Sequence, residues 1–155
     1  MNYILFDGEY RDNLLPLTYT KPVADLRIGI LTIREKWEKY LGYTTTTVTE
    51  DYLAGKFPMV EMERNVMINA SILPNESLVE LIKAIKPNES IFNKGELLAF
   101  YTTEHQEVNF DNYKRIEYEA ECIQIKHSWD LFSQNGAALE ADFDLITKDR
   151  VSAPI

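Results

Sequence analysis

Residues 3–29, YILFDGEYRDNLLPLTYTKPVADLRIG, are the stretch that decides the fold. Their first four residues form a short, continuous apolar run, which is typical of a strand buried on both faces of a parallel sheet. A polar loop that begins at Asp7-Gly8 follows this strand. In α/β proteins, the loop after the first strand and the N-terminus of the next helix supply N–H groups for phosphate. The order therefore predicts an α/β domain with a ligand site at the end of its first strand.

The bulk composition is that of one globular domain. The 155 residues are 45% hydrophobic and 26% charged, and 16 Lys+Arg against 25 Asp+Glu give a net charge of -9. A negative long-range field repels nucleic acid and anionic membrane, so a phosphorylated ligand needs a local group of cations. Arg11, Lys21 and Arg27 are the candidates for that group.

Cysteine content and hydropathy indicate the compartment. Cys122 is the single cysteine, which excludes an internal disulfide and a cysteine-based zinc site. No apolar stretch approaches the roughly 20 residues that cross a bilayer, and the N-terminus lacks the pattern of a signal peptide. These features predict a cytoplasmic protein with no nucleic-acid or membrane partner.

The hydrophobic pattern alternates between strands and helices. Apolar spacing over residues 30–41, with Thr32 and Glu35 placed as a capping box and Gly42 as the stop, predicts the first helix. Further strands are predicted at 44–49, 66–69, 97–102 and 116–127, and helical segments at 50–54, 78–86 and 128–148, the last with a break at 135–136. The segment 87–90 is predicted as a loop. This alternation predicts a three-layer α/β/α domain with a mostly parallel sheet.

Several side chains are predicted to have packing roles. Trp37 and Trp129 occupy helical positions and are expected to pack rather than to stack on a sugar. Cys122 is expected to face the core from the strand 116–127, and the glutamates that alternate over 117–121 form its solvated face.

The loop residues resemble a known signature. Leu15-Pro16-Leu17-Thr18, Lys21-Pro22 and Gly29 are similar to the N-terminal motif of sugar-1-phosphate nucleotidylyltransferases, which read Gly-x-Gly-Thr-Arg-x-x-Pro-Leu-Thr, then Pro-Lys-Pro, then Gly-Lys-Pro. The whole chain resembles the N-terminal half of a bacterial group named UDP-N-acetylglucosamine diphosphorylase/glucosamine-1-phosphate N-acetyltransferase-like, also described as glucose-1-phosphate thymidylyltransferases. The resemblance implies a shortened Rossmann-like nucleotidyltransferase domain at 1–148. It also implies a tail, 149–155, that leads toward a missing left-handed β-helix through which the protein would oligomerise.

The resemblance also implies an activity. In that family a nucleoside triphosphate and a sugar 1-phosphate yield a nucleotide sugar and pyrophosphate, with cations and Mg²⁺ neutralising charge. Lys21 matches the phosphate-facing lysine, and Arg11 or Arg27 replaces the arginine of the glycine-rich loop, so Lys21 and Arg11 are the expected catalytic residues. The expected nucleotide-binding residues are Gly8, Pro16, Thr18, Arg27, Asn69 and Ser71, and Asp7 is the candidate metal ligand.

Two departures from the family pattern leave the activity open. Glu9 and Tyr10 stand where glycines would let the backbone approach phosphate. Ser71 stands where the family has a metal-binding aspartate, and a hydroxyl is a weak ligand for a hard cation. Three functions are therefore compatible with the sequence: an active transferase, a non-catalytic module that binds a nucleotide sugar, and a structural domain that orients an attached β-helix acyltransferase.

Overall fold

A computed structural model describes residues 1–153, which contain a six-stranded mixed sheet. Its strands are β1 (Asn2–Phe6), β4 (Thr46–Val48), β5 (Arg64–Asn69), β6 (Glu89–Asn93), β7 (Glu96–Thr103) and β8 (Lys114–Glu117). Two short strands, β2 (Arg27–Ile28) and β3 (Leu31–Thr32), form a separate antiparallel ribbon. The helices are α1 (Ile33–Leu41), α2 (Asp51–Ala54), α3 (Glu76–Ala84), α4 (Asp130–Ser133) and α5 (Asn135–Thr147).

The sheet order is β4-β1-β5-β7-β6-β8. Strand β1 pairs in parallel with β4 and β5, and β6 pairs in parallel with β8, whereas β7 runs antiparallel between β5 and β6. The prediction of an α/β fold with a mostly parallel sheet and flanking helices is confirmed. No helix in the described part of the chain is long and apolar enough to cross a membrane.

Helix α1 has the predicted ends. The Glu35 backbone N–H donates to Thr32 Oγ1 at 3.2 Å, and the Thr32 N–H donates to the Glu35 carboxylate at 2.7 Å, which completes the capping box. Gly42 ends the helix with φ 80°, a conformation that glycine adopts without a Cβ penalty. Trp37 is fully buried on the inner face, where its indole N–H donates to the Ile72 carbonyl at 2.9 Å.

The two faces of the sheet are covered differently. Tyr3 and Leu5 belong to the main hydrophobic core, together with buried residues of α1 and α3. The alternate residues of β1 face the other side, where Phe6 lies 6.0 Å from Phe100 between ring centroids. Phe110, in the 3₁₀ turn Phe110–Asn112, meets Phe100 edge-to-face at 5.2 Å. An aromatic side chain of the segment that joins β7 to β8 thus packs on the second face of the sheet and covers it.

The predicted long strand at 116–127 is wrong. Strand β8 ends at Glu117, and the last ladder bond is from the Tyr118 N–H to the Phe92 carbonyl at 2.7 Å. The Asn93 amide then donates to the carbonyls of Tyr118 and Ala120, which turns the chain away from the sheet. Residues 118–127 therefore cross the carboxyl ends of the strands. Cys122 is half-buried against the core as predicted, and burial raises the pKa of its thiol.

Three other predictions need correction. The loop predicted at 87–90 contains the start of β6, because Ser90 and Ile91 pair with β7 across a turn at Lys94-Gly95. The break predicted at 135–136 lies one residue earlier, at Gln134 between α4 and α5, and α5 itself continues through Gly136. Trp129 is 64% exposed and does not pack in the core, because it precedes the short, solvent-facing helix α4. The tail has no regular structure over 150–153, and the rest of it lies outside the described residues.

Candidate functional site

The carboxyl ends of β1, β4 and β5 meet at one edge of the sheet. Phe6, the last residue of β1, lies beside Val48 on β4 and Asn69 on β5. Asp7 follows directly after β1, and Glu96 begins the antiparallel strand β7 at the same edge. The strands thus bring four predicted site residues together: Asp7, Gly8, Asn69 and Ser71.

The Asp7 carboxylate is buried and accepts three hydrogen bonds. Oδ1 accepts from the Val23 backbone N–H at 2.8 Å, while Oδ2 accepts from Arg11 Nη1 at 2.7 Å and from the Thr49 hydroxyl at 2.5 Å. Only 7% of the residue is exposed. A carboxylate with these partners is a structural anchor for the segment after β1.

Arg11 is equally buried, at 6% exposure, and its guanidinium is occupied by protein groups. Nη2 donates to the Thr18 carbonyl and to the Tyr52 hydroxyl, the latter at 3.2 Å, while Nε lies 3.7 Å from the Glu50 carboxylate. The Thr18 hydroxyl in turn donates to the Arg11 carbonyl at 3.0 Å. Arg11 and Thr18 therefore tie the loop after β1 to the turn that contains Pro16, which is exposed.

A glycine is required at position 8 because the backbone there lies close to β5. Its φ is +72°, and a Cβ at this position would lie 2.8 Å from Asn69 Oδ1. That oxygen accepts from the Ser71 backbone N–H at 3.0 Å and from the Ser71 hydroxyl at 2.7 Å. Gln124 donates to the Ser71 hydroxyl oxygen at 3.2 Å. Asn69 and Ser71 thus form an internal network between β5 and the crossing segment.

The side-chain oxygens of Asp7, Asn69 and Ser71 do not form a site that fits a bound Mg²⁺. Mg²⁺ prefers carboxylate oxygens in near-octahedral geometry. Asp7 is already bonded to a guanidinium, and Asn69 and Ser71 are neutral and bonded to each other. Over residues 1–153, no group of three or more His, Cys, Asp or Glu side chains could hold a metal ion.

The two remaining predicted cations occupy different places. Lys21 is half-buried beside the Asp7–Arg11 pair, and its backbone carbonyl lies 3.5 Å from Arg11 Nη1. Its ammonium makes no hydrogen bond or ion pair with the described part of the chain. Arg27 is exposed on β2, in the separate ribbon, and donates to the Ile30 carbonyl. The structure therefore groups Lys21 with Arg11 and leaves Arg27 apart.

Sequence reasoning missed a second charged cluster, formed by Tyr10, Glu96 and Lys126. The Tyr10 hydroxyl donates to the Glu96 carboxylate, and Lys126 Nζ lies 3.2 Å from the same carboxylate and 5.0 Å from the Tyr10 ring centroid. Burial alone would raise the pKa of Glu96, but the hydrogen bonds from Tyr10 and Lys126 lower it overall. The hydrogen bond to Glu96 raises the pKa of both Tyr10 and Lys126. No local pattern indicated this cluster, because its members come from three distant segments.

An open cleft of about 450 Å³ lies between the segments that follow β1 and β4. Asp7 and Arg11 line its floor, and three exposed carboxylates, those of Glu9, Asp12 and Glu50, lie on the same cleft. These carboxylates disfavour a triphosphate on this side, since like charges repel at short range.

The proteins that this chain is similar to are consistent with its fold. A family model described as sugar nucleotidyl transferase matches residues 3–151. No curated protein matches the chain. Among solved structures, the chain is similar to a Bacillus anthracis protein assigned as a glucose-1-phosphate thymidylyltransferase in complex with a sucrose. That match has 12% sequence identity and a TM-score of 0.50, and it covers 99% of this chain and 98% of that chain. At this identity the likeness is one of fold.

Proposed function

The chain belongs to the sugar nucleotidyl transferase family, and from this membership we propose that it binds a nucleotide sugar without transferring a nucleotidyl group. The observation that carries the proposal is the buried Asp7–Arg11 ion pair. Transfer requires cations and metal that neutralise the charge developing on the phosphates. Here the arginine and the carboxylate neutralise each other, which removes both groups from that chemistry.

Two lysines near the segment that follows β1 are the candidate contacts for the diphosphate: Lys21 lies beside the Asp7–Arg11 pair, and Lys126 lies beside Tyr10. Lys21 is half-buried with no protein partner for its ammonium in the described residues, and Lys126 is 41% exposed at its side chain. A lysine ammonium binds phosphate as a point charge and needs no metal to do so. The sequence resemblance leaves the base and the sugar open, and UDP-N-acetylglucosamine, one of the nucleotide sugars that it implies, is the ligand to test first.

Calorimetry and a pyrophosphate assay test this function together. We expect saturable binding of UDP-N-acetylglucosamine with similar Kd values in Mg²⁺ and in EDTA. We expect no pyrophosphate from UTP or dTTP with a sugar 1-phosphate. Pyrophosphate release above the protein-free rate would reject the non-catalytic assignment, and absence of binding would reject the function.

Lysine variants with one matched control locate the site. Lys21→Gln and Lys126→Gln should each weaken binding about tenfold or more, because each removes a charge-assisted contact to phosphate. Lys148→Gln removes the same charge from the exposed pair with Glu76 and should leave Kd unchanged. Equal effects of all three variants would indicate a general effect of net charge rather than a site.

A further inference from the structure

Trp129 is the exposed tryptophan of this chain. It is 64% exposed, whereas Trp37, the other tryptophan, is fully buried. An indole has a large apolar surface, and its exposure forgoes the free energy of burial. The His127 ring packs against Trp129 with 4.3 Å between centroids and a tilt of 43°, so it supports the indole from one side.

The backbone under this surface is held by Asp130. Its Oδ2 accepts from the backbone N–H groups of Lys126 and His127, both at 2.9 Å, and its own N–H donates to the His127 carbonyl at 3.0 Å. The Ser133 N–H donates to the Trp129 carbonyl at 3.0 Å. The indole therefore extends from a fixed backbone, and a ligand that stacks on it need not order a loop.

The same short segment contributes to the charged cluster. Lys126 lies three residues before Trp129, and three residues span at most about 10 Å. Lys126 contacts Glu96 and lies over the Tyr10 ring. The backbone of Lys126, a cation that can contact phosphate, is therefore within about 10 Å of the residue that carries the exposed indole.

We propose that Trp129, supported by His127, is the stacking platform for the hexose ring of the ligand. This inference rests on the proposed function and adds the residue that recognises the sugar. The π face of indole is negative, and it attracts the partly positive C–H groups on the apolar face of a pyranose. In this arrangement Lys126 supplies the cation for the anomeric phosphate.

Acrylamide quenching of the wild-type protein tests the contact directly. Trp37 is fully buried, so the change in quenching on ligand addition reports Trp129. We expect UDP-N-acetylglucosamine and N-acetylglucosamine 1-phosphate to protect the indole and UDP alone to leave it accessible. Equal protection by UDP would overturn the proposal, because the indole would then stack on the base.

Calorimetry on three variants separates stacking from general surface effects. Trp129→Ala should weaken binding of UDP-N-acetylglucosamine about fivefold and leave the Kd for UDP unchanged, while Trp129→Phe should retain most of the affinity. Phe132→Ala, which removes an aromatic ring that is 81% exposed on α4, is the matched control and should have no effect. Unchanged affinity in Trp129→Ala, with binding intact in the wild type, would refute the platform and leave the proposed function standing. Failure of every ligand to bind the wild type would reject both.

Discussion

Replacing Arg11 with methionine tests whether the Asp7–Arg11 pair is a structural anchor. The two residues are 6% and 7% exposed, so solvent screens their interaction weakly. Loss of one partner from a buried pair costs about 3–5 kcal/mol, because the other charge stays buried without its counter-ion. Asp7 keeps its bonds from Val23 and Thr49, so we expect about 3 kcal/mol, the lower end of this range. For a domain of this size the loss lowers Tm by about 6–12 °C.

Urea unfolding of the single and double variants measures this cost. Adding Asp7→Asn to Arg11→Met removes the uncompensated charge, so the double variant should regain about 1–2 kcal/mol relative to additivity. Arg115→Met is the control, since its pair with Glu117 is about half exposed and surface pairs contribute about 0–1 kcal/mol. A loss below about 1 kcal/mol for Arg11→Met, or full additivity in the double variant, would refute the anchoring role.

Three further predictions concern other parts of the fold. Gly8→Ala should cost at least about 1–2 kcal/mol, because φ is +72° and the new Cβ would meet Asn69; a Tm equal to wild type would contradict this. Glu96→Gln should destabilise the protein at pH 7, and the difference from wild type should vanish in urea titrations once the pH has fallen through the lowered pKa of Glu96. The sign follows from the lowered pKa of Glu96, whose contribution exists above the unfolded pKa and is lost as pH falls through the folded one. Lys36→Met should cost about 3 kcal/mol in chemical unfolding, since the buried Asp142 carboxylate loses its ion-pair partner but keeps the hydrogen bonds from the Ile30 and Leu31 N–H groups; a cost typical of exposed pairs would show that the pair is dispensable.

Gly29 illustrates a motif residue whose role is in packing. Its φ is +71°, and a Cβ would lie 2.7 Å from the Asp142 carboxylate and 2.8 Å from the Ala138 backbone. Its N–H donates to Asn135 Oδ1 at 2.8 Å. The glycine therefore seats helix α5 against the β2–β3 turn. A residue of a family motif, such as Gly29, can be required for the contact between two segments rather than for binding a ligand.

Part of the candidate site followed from the sequence by a simple rule. Parallel strands end at the same edge, so a sequence that places Asp7 after one strand and Asn69 at the end of another brings them near each other. The side-chain partners did not follow. The sequence predicts Arg11 as a catalytic cation, yet its guanidinium bonds to Thr18 and Tyr52, and only the folded chain brings Tyr52 within reach.

The sequence by itself determined the elements that depend on local chemistry. The apolar run of β1, the capping box of α1 and the glycine that ends α1 each depend on residues close together in the sequence. The loop motif identified the family. Tertiary structure alone decided the features that depend on pairing between segments distant in the sequence. Alternating hydrophobicity over 116–127 predicts a strand. The hydrogen bond from the Ile125 N–H to the Ser71 carbonyl and the bond from the Asn93 amide to the Ala120 carbonyl instead hold that segment across the sheet edge. That crossing brings Lys126 to Glu96 and leaves Trp129 in solvent, because contacts between distant segments, and not local periodicity, set where each side chain lies.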